Sequence, residues 1–327
     1  MKVCIYGAGA IGGYLACALV KGGADVSVIA RGPHLSAIRT GGLRLRTADG
    51  ETVTKLAASD SPEDFGAQDY VVLAMKAHAV PPILDRLPVL FHAQTAVVTA
   101  INGIPFWYFF GTGGRFAGTR LHSVDPEGRQ WAVIGPERAV GSVIYQAAEV
   151  VEPGIIEVAK ASDRFVLGEP SGDSSARTVK LAEVIRKGGL KAPVRPNIRQ
   201  EIWVKLWGNL TFNPISTLTG ATMGAICRDA GTRALARAMM VEAEAVAAAL
   251  GVTMPIDVDK RIAGAEAIGE HKTSMLQDLE RGRPLEIEAL VGSVAELARL
   301  TGVPTPAIDN VLALVRLKAS GAGNAPA

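Results

Sequence analysis

The chain has 327 residues, 34 basic and 32 acidic side chains, a formal net charge of +2 and 48% hydrophobic content. That length suits two domains, and that composition suits a globular protein with a sizeable core, which excludes a disordered chain. No block of like charge marks a nucleic-acid or anionic-membrane partner, and no apolar run reaches the ~20 residues that span a bilayer. The opening Met1-Lys2-Val3-Cys4-Ile5-Tyr6 gives way to glycine too soon for a signal-peptide core, so the expected location is the cytoplasm. Cys4, Cys17 and Cys227 show no CxxC spacing, which leaves no disulfide framework and no zinc set; Cys4 and Cys17 lie in apolar patterns and read as small buried hydrophobes.

In chain order, residues 3–6, 26–30, 70–74 and 96–100 are aliphatic runs of strand length. Residues 10–21 and 81–87 fall between them with helical spacing. The alternation predicts βαβ units and a mostly parallel sheet with helices on both faces. Within residues 140–158, two Val- and Ile-rich runs meet at Pro153-Gly154 as a strand pair would, and residues 163–168 and Val194 read as further short strands. Beyond Pro196 the strand signals stop. Asn197 can cap a long helix running through Trp203 and Leu210. Residues 232–250 form a helix ended by Gly251, residues 285–300 one closed by Gly302, and residues 306–317 the last. The predicted fold is α/β: a Rossmann dinucleotide-binding domain over residues 1–193, an all-helical domain over 194–320 and a frayed tail over 321–327.

The clearest motif is Gly7-Ala8-Gly9-Ala10-Ile11-Gly12, which follows a strand and opens a helix. Gly7 allows the tight turn, Gly9 the close approach of a pyrophosphate, and Gly12 the packing of helix on sheet, while the helix N-terminus offers unpaired N–H groups to the phosphates. NAD sites place an acid at the end of the second strand; here Ala30 and Arg31 stand instead, and the nearest acid, Asp25, is at the strand's start. A guanidinium holds a 2′-phosphate that a carboxylate would repel, so Arg31 reads as an NADP determinant, against a solvated surface arginine. Lys76 and Asn102 follow the third and fourth strand runs, where ligands of open α/β sheets bind. The alternative for Asn102-Gly103 is an ordinary turn.

In the helical half, Lys205, Asn209 and Asn213 recur every four residues on a helix that otherwise carries Trp203, Leu206, Trp207, Leu210 and Phe212. A helix apolar on most sides is buried, so this polar stripe must line a pocket or an internal network, and Pro214 should bend or end the helix. A lysine facing a desolvated cleft can donate a proton near neutral pH, as reduction of a 2-oxo acid requires; the alternative is a lysine snorkelling to water. Ser274 can cap a following helix with Gln277 three residues on, or receive a substrate carboxylate. Glu286 and Glu288 by themselves suit a helix's first turn.

Taken in order, GAGAIGGYLA from Gly7, ARG at Ala30, MKA at Met75, NG at Asn102, KLWGNLTFNP from Lys205, SMLQD from Ser274 and EIE at Glu286 resemble the ketopantoate reductase family over nearly the whole chain. The resemblance implies Lys205 as general acid, with Glu286 the pocket glutamate that binds the substrate hydroxyl. It places Asn209 and Asn213 in the pocket and Ser274 at the substrate carboxylate. Gly7, Ala8, Gly9, Ala10, Ile11, Gly12, Arg31, Lys76 and Asn102 take the cofactor positions. The implied reaction is hydride transfer from NADPH to the keto carbon of 2-dehydropantoate, a step toward pantothenate and coenzyme A, in a cleft between domains that closes over both ligands. The partner is then a small 2-oxo acid, and the helical half has apolar surface enough for a homodimer. Two departures stand out: the aromatic run Phe106-Trp107-Tyr108-Phe109-Phe110, expected beside the nicotinamide, and Val291-Gly292 where the family commonly has Asn-Gly. They leave the reaction type standing, and the aromatic run favours, as a rival, a related reductase of a bulkier 2-oxo acid; a rival from another class is a non-catalytic NADPH-binding regulator, in which Lys205 and Glu286 would be structural.

Overall fold

The computed structural model describes residues 1–158, 163–321 and 323. The chain forms two compact units: Met1–Ile101, Pro105–Arg120 and Glu127–Ile198 make the first, and Asn102–Ile104, Leu121–Pro126 and Arg199–Ala327 the second.

The first unit contains β1 (Lys2–Tyr6), α1 (Ala10–Lys21), β2 (Asp25–Ile29), α2 (Gly32–Gly41), β3 (Leu43–Thr47), β4 (Gly50–Thr54) and β5 (Ala57–Ser59). It continues with β6 (Tyr70–Leu73), β7 (Ala96–Thr99), α3 (Arg129–Ile134), β8 (Ala139–Ile144), β9 (Ala148–Glu152), β10 (Ile155–Val158), β11 (Phe165–Gly168) and α4 (Ala176–Lys187). Seven strands form one sheet in the order β5-β2-β1-β6-β7-β8-β11, parallel throughout except for β11, which runs antiparallel to β8. Val3, Ile5, Val71, Val72, Leu73 and Val97 are fully closed from solvent. Strands that are apolar on both faces belong inside a parallel sheet covered by helices, so the runs at β1, β6 and β7 take the centre. Strand order turns back between β1 and β6, and the crevice beyond their C-terminal ends is where open α/β sheets bind ligands.

A second sheet, β4-β3-β10-β9, joins two hairpins through a parallel β3–β10 pair. The β9–β10 hairpin is the one predicted at Pro153-Gly154; Gly154 takes φ +78°. The hairpin β3–β4 was not foreseen. Val194 contributes an isolated bridge to Leu167 rather than a strand. The predicted helix over 81–87 is a 3-10 turn, Pro81–Arg86, because the pair Pro81-Pro82 at its start and Pro88 just beyond its end leave no room for α-helical bonding.

The aromatic run is core. Phe106, Trp107, Tyr108 and Phe109 are 0–6% exposed. The Trp107 indole N–H donates to Thr99 Oγ1 at 3.0 Å, and its ring lies against β8, where a Cβ on Gly141 would come within 2.9 Å of it. Tyr108 and Phe109 pack edge to face, 4.9 Å between centroids. Phe110, which ends the run, is half-buried.

The second unit is helical: α5 (Ile198–Thr219), α6 (Met223–Arg228), α7 (Ala230–Ala249), α8 (Val258–Glu266), α9 (Ser274–Glu280), α10 (Ser293–Thr301) and α11 (Pro306–Gly321). A π-helical turn, Glu288–Gly292, leads into α10. At the centre, α5 buries Trp203, Trp207, Leu210 and Phe212, and the Trp207 N–H donates to the Met240 carbonyl at 2.8 Å. Of the two outcomes expected at Pro214, a bend or an end, the end does not occur: α5 runs on to Thr219. A mid-helix proline costs roughly 3 kcal/mol, which the burial of this helix on most sides offsets. Thr217 and Thr219 add hydroxyl bonds back to the Asn213 and Ile215 carbonyls. Of the tail expected over 321–327, all but Gly321 and Gly323 lies outside the described residues. No helix among the described residues is long and apolar enough to cross a membrane.

Candidate active site

In the first unit the glycine loop begins where β1 ends. Gly7 takes φ +105°, and a Cβ there would stand 2.7 Å from the Ala74 carbonyl, so both conformation and space demand glycine. A Cβ on Gly12 would lie 2.0 Å from the Gly7 carbonyl. Gly9 is the opposite case: it is exposed and nothing lies within 4 Å of the Cβ position, the open cradle a phosphate needs. The Gly7 and Ala8 N–H groups tie the turn to the Ile29 carbonyl at 3.1 and 3.0 Å. The first helical bond of α1 runs from the Gly13 N–H to the Gly9 carbonyl, 2.7 Å, which leaves the N–H groups of Gly9, Ala10, Ile11 and Gly12 without backbone acceptors among the described residues. No acidic residue occupies the first turn. These residues fit a dinucleotide pyrophosphate.

Arg31 lies just past β2, exposed, as the N-cap of α2; its guanidinium has no ion pair or hydrogen bond among the described residues. Asp25 is at the other end of that strand. Lys76 is half-buried and opens the 3-10 turn Ala77–Ala79, two residues after Ala74, whose carbonyl faces Gly7. One neighbour of the loop had no signal in the sequence: the His34 ring, on α2, lies 2.7 Å from the Ala8 carbonyl.

The second unit gathers three of the predicted residues. Lys205 Nζ, from α5, donates to Asn102 Oδ1 at 2.7 Å, and Asn102 Nδ2 donates to Glu286 Oε2 at 3.5 Å. Burial around the ammonium pushes the Lys205 pKa down to about 8, while the Glu286 charge pulls it back up. Asn209 and Asn213 lie one and two turns further along α5; Asn213 is buried, and neither amide makes a hydrogen bond among the described residues. Unpaired amides on the face of a buried lysine are what a polar ligand would satisfy.

Asn102 reaches this cluster because residues 102–104, although they follow β7 in the chain, pack with the helical unit. The Ile104 N–H donates to the Ala289 carbonyl in the π-helical turn at 3.4 Å. Gly103, at φ +94°, lets the loop pass so close that a Cβ would lie 2.2 Å from that same oxygen. Nothing in the sequence pattern announced the π-helical turn; the glycine after Asn102 was the one legible trace. Val291, the departure noted above, is fully buried in that turn and packs the core.

Ser274 is not brought into the cluster by any hydrogen bond among the described residues. It is exposed at the first position of α9, and the cap is Thr273, whose hydroxyl accepts from the Leu276 N–H at 3.3 Å. The Gln277 side chain donates to the Lys272 carbonyl at 3.1 Å and accepts from no cap N–H among the described residues, so the expected capping box between Ser274 and Gln277 does not form.

Residues 3–172 match the family model described as ketopantoate reductase PanE/ApbA, and residues 197–319 match its C-terminal counterpart. The chain is 59% identical over 317 residues to 2-dehydropantoate 2-reductase of Mesorhizobium japonicum, covering 97% of each. A candidate ketopantoate reductase from Ralstonia solanacearum MolK2 shares the fold with a TM-score of 0.93 and 40% identity over 98% of each chain. D-mandelate dehydrogenase, solved as a complex with NADH, aligns with a TM-score of 0.80 and 25% identity over 98% of this chain and 99% of its own.

Proposed function

Because this chain belongs to the ketopantoate reductase family, oxidoreductases acting on a CH–OH group, we propose that it reduces 2-dehydropantoate to pantoate with NADPH, toward pantothenate and coenzyme A. The observation that carries this reading is the chain of contacts Lys205–Asn102–Glu286, with a lysine whose pKa is about 8. At pH 7 such a lysine is about nine-tenths protonated, a store of acid that still gives up its proton readily. NADPH, when bound, supplies the hydride to the keto carbon. Lys205 polarises the keto oxygen beforehand and protonates it as charge develops there. Asn102 accepts from the ammonium and so fixes its direction. Glu286 receives the substrate hydroxyl and keeps Lys205 charged. Asn209 and Asn213 offer amide donors to the substrate, and Ser274 a hydroxyl to its carboxylate.

D-mandelate dehydrogenase was solved with NADH, so membership of this fold does not select the phosphate-bearing coenzyme. Selection falls to the end of β2. There Arg31, whose guanidinium makes no ion pair among the described residues, favours NADPH. Purified protein is expected to oxidise NADPH when 2-dehydropantoate is added, and far more slowly with NADH. Turnover confined to other 2-oxo acids would give the substrate to a sister activity. Tight NADPH binding with no turnover across a panel of 2-oxo acids would make the chain a regulator.

A further inference from the structure

We propose that His34 is a positioning residue for the coenzyme, setting the plane of the Ala8–Gly9 peptide and with it the aim of the Gly9 N–H. This rests on the reading that the glycine loop holds NADPH. His34 Nε2 lies 2.7 Å from the Ala8 carbonyl oxygen, and the Gly154 N–H donates to His34 Nδ1 at 3.0 Å. A carbonyl only accepts and a backbone N–H only donates, so the ring is the neutral Nε2–H tautomer and bridges the two segments.

The Ala8 carbonyl lies one residue ahead of Gly9, whose carbonyl takes the first helical bond of α1. It belongs to a buried residue, 2% exposed, and the ring supplies its donor from outside the helix. In a planar trans peptide the carbonyl and the following N–H point in opposite directions. Holding the Ala8 carbonyl against the ring therefore turns the Gly9 N–H away from it, at the residue where the loop is open to a ligand. The far end of the brace is itself fixed. The Gly154 carbonyl accepts from the Arg44 N–H at 2.8 Å, and a Cβ on Gly154 would come within 2.8 Å of Ala37 on α2. The β9–β10 hairpin thus anchors the ring, and the ring anchors the loop.

The test is a series at position 34, read as the Kd for NADPH and NADH by fluorescence titration, with kcat at saturating coenzyme. His34→Ala is expected to weaken NADPH about 3- to 10-fold, as loss of one directed hydrogen bond would. kcat is expected to stay within about twofold, because the reacting groups are untouched. NADH should weaken by the same factor, since both coenzymes share the pyrophosphate. Glutamine is long enough to bring an N–H to the Ala8 carbonyl, and His34→Gln should recover most of the affinity. Asparagine reaches only the Gly154 side, and His34→Asn should behave like alanine. If His34→Ala does not fold, the comparison of glutamine with asparagine decides alone. Equal affinity in wild type and His34→Ala, equal recovery by both amides, or a loss confined to kcat would each overturn the proposal. Wild-type protein that binds neither coenzyme would instead overturn the functional reading beneath it.

Discussion

At the scale of single residues, the proposed chemistry rests on one lysine whose environment sets two opposing demands. Burial around the Lys205 ammonium disfavours the charge, and Glu286 favours it; the balance leaves the pKa at about 8 against an ordinary 10.5. Reduction needs the protonated form. Reductive kcat/KM should therefore hold on the acid side of pH 8 and fall as pH rises through it, while the reverse oxidation, which needs the free amine, should gain over the same range. Glu286→Gln removes the charge that raises the lysine's pKa, so the alkaline limb of the reductive profile is expected to move to lower pH, alongside any loss of substrate affinity. A pH–rate profile on both proteins measures this; a limb that stays in place would detach Glu286 from Lys205. Lys205→Ala should lower kcat by at least ~10²-fold with the coenzyme affinity retained, and undiminished turnover would take Lys205 out of the mechanism.

At the scale of elements, the position of Asn102 depends on a loop docked on a π-helical turn. Gly103 is needed there twice over, for its φ of +94° and for the 2.2 Å that would separate a Cβ from the Ala289 carbonyl. Gly103→Ala should cost about 2–3 kcal/mol of stability and lower kcat by drawing Asn102 off the Lys205 ammonium. Thermal melts and kinetics together check it; a variant that loses neither would mean that the loop accommodates the methyl without moving Asn102. Elements like this one explain what could and could not be read beforehand. Strands β1, β2, β6 and β7 and helix α1 were legible, because buried parallel strands are unbroken apolar runs and the glycine pattern marks the turn between them. The β3–β4 hairpin was not: most of its residues are partly or fully exposed, which leaves only the brief Leu-Arg-Leu-Arg alternation at residues 43–46. Pro214 left two outcomes open, a bend or an end; local propensity favours a stop, whereas tertiary burial of α5 carries the helix past it. In the site, the four-residue spacing showed Lys205, Asn209 and Asn213. The contact that holds the Lys205 ammonium spans 103 residues to Asn102, the next spans 184 from Asn102 to Glu286, and the one at the glycine loop spans 26 from His34 to Ala8, separations no local pattern encodes.

At the scale of the whole molecule, the chain builds two units, and the segments 102–104 and 121–126 belong to the helical one despite their place in the sequence. Glu296 on α10 holds the second of these by accepting from the His122 and Ser123 N–H groups at 2.7 and 2.8 Å. A coenzyme that binds the glycine loop stabilises the unit that carries it by mass action, about 2.7 kcal/mol at a hundred times its Kd. For a domain of this size that corresponds to an unfolding midpoint raised by roughly 5–10 °C. NADPH should produce that shift in the wild-type protein, and NADH at the same concentration should produce less, since its ribose hydroxyl gives the Arg31 guanidinium no dianion to bind. Arg31→Ala should bring the two coenzymes to the same, smaller shift by weakening NADPH and sparing NADH. Melting curves of both proteins with each coenzyme decide it: equal shifts in the wild type, or parallel losses in the variant, would show that Arg31 does not read the 2′-phosphate.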